Sequence, residues 1–95
     1  MLKVVKKRGN VVDFIPEKIQ VSVSNTGNDI NISLNQKDID LIVKEVEDKI
    51  KTIRGTDGIT SSYEIMSVVL TVLHDMGYPK IADAYYSGSN ERKGR

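Results

Sequence analysis

The chain has 95 residues, 39% of them hydrophobic and 28% charged, a balance that supports one modest core and excludes disorder. Fourteen basic side chains against thirteen acidic leave a net charge of +1, which excludes a general polyanion binder but leaves room for one local anion site. Cysteine is absent, so disulfides and thiolate metal sites are excluded, and with no secretory signal and no apolar run long enough to cross a bilayer the expected location is cytoplasmic.

Two strands are expected first, "LKVVKK" at 2–7 and "VVDFI" at 11–15. Gly9-Asn10 between them suits a two-residue hairpin with glycine at the first central position. That register pairs Lys6 with Asp13 and Val5 with Phe14. It places Val5, Val12 and Phe14 on one face and Val4, Lys6, Arg8, Val11 and Asp13 on the other. Pro16 suits the first position of a helix and Glu17 its first turn, so a helix from about Pro16 to Thr26, ended near Gly27, is expected. The segment "IQVSVS" conflicts with this, because its alternation and β-branched content favour a strand.

After the polar connector "NDINISLN", residues 36–54 carry Ile39, Ile42, Val43, Val46, Ile50 and Ile53 at helical spacing opposite a charged face. "GTDG" ends that helix. Ser61 and Glu64 form a capping box for a third helix, whose inner face is Ile65, Val68, Val69, Val72, Leu73 and Met76. Gly77 closes it, and Pro79 opens a short last helix, "PKIADAYY". The expected fold class is α+β: an N-terminal β-hairpin, or a three-stranded sheet, against a bundle of about four helices. Residues 1–87 form the single domain and 88–95 a flexible polar and basic tail.

No spacing here supports catalysis. His74 is the sole histidine and has no nucleophile nearby in the pattern. The acids between Asp38 and Asp48 alternate with lysines as a solvated face. No metal-ligand spacing, nucleophile elbow or phosphate-binding glycine loop is present. The basic hairpin is the remaining candidate. Lys6, Lys7 and Arg8 read either as ordinary edge-strand cations, with Lys6 paired to Asp13, or as a site for an anion. The second reading gains from Lys18. A lysine in a helix's first turn opposes the dipole, and a phosphate between Lys6, Lys7 and Lys18 would remove that cost.

The series Val4, Lys6, Lys7, Gly9, Phe14, Lys18, Ile19 resembles the start of an ATP-cone domain. The later stretch "ITSSYEIMSVVLTVLHDMGYPKIADAYY" is similar to the second half of that family, and together they cover about residues 3–86. The resemblance implies a few strands capping a four-helix bundle, and it implies that "EKIQVSVSNTG" is the first helix, with tertiary context overriding local propensity.

It also implies a non-catalytic regulatory module that binds ATP or dATP, with Mg2+, and sets an oligomeric state or the activity of a partner. Such domains stand in ribonucleotide reductases and in the repressor of their genes, so the implied partner of a free-standing cone is a reductase in trans, or a second copy of the chain. The alternative is a cone-like scaffold with a degenerate site, used for protein–protein interaction. Nucleic acid is not an expected partner, since the net charge is small and the repressor's zinc ribbon is missing. Residue by residue, the resemblance places Val4, Lys6, Lys7, Lys18, Ser62 and Met66 at nucleotide-contacting positions. Val4, Ile15 and Ile19 are the expected walls of an adenine pocket. Three departures stand out: Arg8 in the turn, Met66 at a position that can be polar, and a last helix that breaks early, leaving Arg92 or Lys93 as cations on a tail.

Overall fold

The computed structural model describes residues 1–93, with side chains as far as Gly88. Three short strands and four helices follow in the order β1 (Lys3–Val5), β2 (Val11–Asp13), α1 (Pro16–Asp29), α2 (Gln36–Arg54), β3 (Ile59–Ser61), α3 (Ser62–Asp75) and α4 (Pro79–Lys93). The fold is α+β, with a three-stranded mixed sheet rather than a hairpin alone. β1 lies in the centre, antiparallel to β2 and parallel to β3. The helices close a ring in which α1 touches α2, α2 touches α3, α3 touches α4, and α4 returns to α1.

The hairpin departs from the expected register. Val4 pairs with Val12 and Lys3 with Asp13, three residues out of step with the pairing read from the sequence. Its cause is the turn. The Lys6 N–H donates to the Asn10 carbonyl and the Gly9 N–H donates to the Lys6 carbonyl, each at 2.8 Å. The loop therefore holds Lys7, Arg8 and Gly9, and Gly9 takes the left-handed position at φ 91°. This is the three-residue hairpin with a bulge glycine, not the two-residue turn. An odd slip exchanges the faces of a strand. Val4 is accordingly buried beside Leu2 and Phe14, while Val5 faces outward with Val11. Asp13 takes Lys3 as its ionic partner instead of Lys6.

α1 is a helix despite its alternating sequence. Ile19, Val23 and Gly27, four residues apart, form its buried stripe, and burial of that stripe outweighs the β-branched preference for extended chain. The cost is visible at Val21, which is left 57% exposed. The helix also passes through Gly27 instead of stopping there. Its end is a Schellman motif, in which the Asn31 N–H donates to the Asn28 carbonyl and the Ile32 N–H to the Gly27 carbonyl, with Asn31 at φ 61°.

The remaining helices follow their patterns with two corrections. Ile53, assigned to the inner stripe of α2, is 58% exposed, because it borders an open surface groove between α2 and α3 with Val68 and Thr71. α4 does not break after Tyr86 but continues to Lys93. The side chains of Arg92 and Lys93 lie outside the described residues. One core joins sheet and ring, running from Leu2, Val4 and Phe14 to Val23, Ile42, Ile50, Leu73 and Ile81.

Gly27 packs against the connector to α2, where a β-carbon would lie 2.6 Å from the Ile32 carbonyl oxygen. The Gly27→Ala variant is expected to lose about 1–3 kcal/mol of stability through this overpacking, in spite of alanine's better helix propensity. Urea unfolding checks it, and an unchanged or raised midpoint would contradict the close approach.

Candidate functional site

Alternation along β1 sends Val4 and Lys6 to the same side of the sheet, toward the start of α1. Between them lies an open cleft of about 210 Å³. Its floor is apolar, made by Val4, Val12, Phe14, Ile19 and Ile65, and its rim carries Lys6 and Lys18. α1 begins at that rim. Ile15 is its N-cap and offers no side-chain acceptor, Pro16 supplies no N–H, and the Lys18 N–H donates to the Ile15 carbonyl at 3.1 Å, so in the first turn the Glu17 N–H is left to an external acceptor.

Six of the eight residues expected in a nucleotide site line this one cleft: Val4, Lys6, Ile15, Lys18, Ile19 and Ser62. Lys7 and Met66 do not. Lys7 belongs to the turn and sets its ammonium 5.8 Å from the centre of the Tyr63 ring, an exposed cation–π contact worth about 0.5–1 kcal/mol. Met66 is half-buried on α3 and takes no part in the lining, so its thioether removes no polar group from the cleft. Arg8 is exposed at the hairpin tip.

The electrostatics favour an anion at the rim. Among the described residues, Lys6 and Lys18 have no carboxylate within ion-pair distance. Asp13 also borders the cleft, but Lys3 pairs with it across the strands.

Ser62 and Ile65 reach the cleft because a clasp fixes the β3–α3 junction. Glu64 accepts two hydrogen bonds from the Arg54 guanidinium, both at 2.9 Å, and a third from the Thr60 hydroxyl at 2.6 Å. Thr60, directly opposite Val4 in the parallel pairing, is the sole fully buried polar side chain among the described residues. Ser61 caps α3 as expected, its hydroxyl accepting from the Glu64 N–H at 3.0 Å. The reciprocal half of the capping box is not formed. Glu64 instead turns to Arg54, and a bidentate pair is stronger than a return bond to one N–H.

Several cleft residues were not singled out from the sequence. Val12 and Ile65 read simply as parts of apolar faces, and Phe14 as a residue of the family pattern and not as a ligand contact. Ser22 was hidden inside the alternating segment, and Tyr85 sat in a helix taken to be short. Their signal is spatial: Ser22 and Tyr85 meet only when α1 and α4 pack together, with their hydroxyl oxygens 3.1 Å apart. His74 is exposed at the far end of α3. No group of three acidic or histidine side chains that could hold a metal occurs among the described residues, and no described helix is long and apolar enough to cross a membrane.

A small sheet over a closed ring of four helices, with a cation-rimmed cleft where they meet, defines a ligand-binding module. The family model described as ATP cone domain matches residues 2–94, and the chain belongs to that family. Members are regulatory nucleotide-binding domains, not catalysts, and as a family they bind ATP or dATP. No protein of curated function matches the chain.

Arg54 and Thr60, in that order of effect, hold the Glu64 carboxyl below its ordinary value. A lowered native value means that the clasp stabilises the fold fully above the unfolded-chain pKa of about 4.3 and is lost as pH falls through the lower native one. The melting temperature of the wild type is thus expected to drop more steeply than that of Glu64→Gln between about pH 5 and pH 3. Parallel slopes in a thermal series would contradict it.

Proposed function

We propose that the cleft between β1 and α1 binds an adenine nucleotide, and that its occupancy controls a partner or the chain's own assembly. The carrying observation is the pairing of an apolar floor with two ammonium groups that have no carboxylate partner among the described residues, beside a helix start without a side-chain cap. An apolar floor suits a base, and a cationic rim suits polyphosphate. The cleft is smaller than the roughly 300–1,000 Å³ of a pocket that encloses a whole small molecule. It therefore holds the base end, while the phosphates lie across the open rim between Lys6 and Lys18. Magnesium would travel with the phosphates as the nucleotide's counter-ion. Lys7 and Arg8, one and two residues beyond Lys6, add positive potential around the same rim.

The partner we propose is a ribonucleotide reductase acted on in trans, in line with where domains of this family stand. The competing reading, a scaffold with a decayed site, drew on Met66 and on an early end to the last helix. Met66 lies outside the lining, and α4 runs on to Lys93. The nucleotide-responsive reading is therefore the better supported of the two.

Calorimetric titration with ATP and dATP, each with magnesium, is expected to show saturable binding. Lys6→Ala and Lys18→Ala should each weaken it about tenfold or more, as loss of one charge-assisted contact of roughly 1.5–3 kcal/mol requires. Absence of heat with both nucleotides would refute the assignment. Sedimentation of the wild type with and without nucleotide then separates regulation of assembly from a passive scaffold.

A further inference from the structure

We propose that Ser22 and Tyr85 are a specificity-determining pair in the cleft. They select a ligand base that presents a hydrogen-bond donor, as the 6-amino group of adenine does, over one that presents a carbonyl, as hypoxanthine does. The inference rests on the nucleotide reading of the cleft, and assigns to these two side chains the choice of base.

The argument turns on where two protons lie. The Ser22 hydroxyl oxygen is 3.1 Å from the Ile19 carbonyl oxygen and 3.1 Å from the Tyr85 hydroxyl oxygen. A carbonyl oxygen cannot donate, so both contacts are hydrogen bonds at once only when the single Ser22 proton goes to Ile19, and this fully satisfied arrangement is the one proposed. The proton between the two hydroxyls then belongs to Tyr85, which donates to Ser22. The relay runs one way, from Tyr85 to Ser22 to the backbone of α1. Both protons are consumed inside the protein, and the pair offers the cleft lone pairs only.

An amino group brought to this wall finds acceptors. A carbonyl oxygen at the same place faces other oxygens. To meet it, Tyr85 would have to swing its proton away and give up its bond to Ser22. Sites built from committed hydrogen bonds discriminate in this manner far better than apolar pockets do. Both side chains are half-buried, which reduces but does not abolish the relief that water gives a mismatch.

Position supports the assignment. Lys18 is in the first turn of α1, and Ser22 is four residues on, so about 6 Å further along the same face. A nucleotide with its phosphates on Lys6 and Lys18 would direct its opposite end, the base, toward the pair. Ser22 and Tyr85 line the same cleft as the two lysines.

The test compares ATP with ITP, each with magnesium, on the full chain by calorimetry, with circular dichroism to confirm folding. The wild type is expected to bind ATP about tenfold more tightly than ITP, the ratio set by one mismatched hydrogen bond. In Ser22→Ala, the Tyr85 hydroxyl is released and can donate, so ITP should gain and the ratio should fall to about threefold or less. In Tyr85→Phe the ratio should fall similarly, through weaker ATP binding. Lys6→Ala should weaken both nucleotides and leave the ratio intact. A purely structural role for the pair would weaken both ligands alike. Equal affinities in the wild type, or an unchanged ratio in both variants, would overturn the pair's role while leaving the nucleotide reading standing. A chain that binds neither nucleotide would overturn both.

Discussion

The register of the β1–β2 hairpin is the constraint on which the cleft depends. Gly9 takes a backbone conformation that other residues adopt only under strain, and this permits a loop of three residues in place of two. The loop length decides which residue of β1 opposes which residue of β2, and so which face of β1 turns inward. With Val4 inward, Lys6 follows on the same side and meets the start of α1. Shifted by a single residue, the sheet would send both to solvent and bring Val5 in. The cationic rim is thus a product of turn geometry as much as of charge content.

The second constraint is the parallel pairing of β1 with β3. It sets Thr60 behind Val4, and the Arg54–Glu64–Thr60 clasp then locks the helix that follows. Parallel neighbours require a long crossover, and here the crossover is α1 and α2. The clasp lies outside the cleft, yet it positions Ser62 and Ile65. Two layers therefore hold the site, the apolar floor from the core beneath and the hydrogen-bonded junction at its flank.

Much of this was legible in the sequence, for reasons that differ by element. The stripe of α2 and the Ser61 cap of α3 are local signals, and both formed where expected except at Ile53, the last residue of the stripe. The hairpin was recognisable but its register was not, because Gly-Asn fits two turn types and only the packing of Leu2, Val4 and Phe14 decides between them. The helical state of α1 came from family resemblance, since "IQVSVS" by itself favours a strand and only the buried face of Ile19, Val23 and Gly27 reverses that preference. Lys6 and Lys18 could be singled out by their charge in unusual places. Ser22 and Tyr85 could not, as neither is unusual in its own segment and their meaning arises from a contact across 63 residues.

That long-range contact bears on how the protein comes to exist in the cell. A ribosome releases β1 and the lysines of the rim first, and the wall at Tyr85 only after α2 and α3 have followed. Until then the growing chain has cations without a completed cavity. Any small molecule that fits the finished cleft can stabilise only the finished fold, and by mass action it draws late, nearly native conformers toward completion. The supply of such a molecule would then influence how much of the protein matures, and not only what the mature protein does.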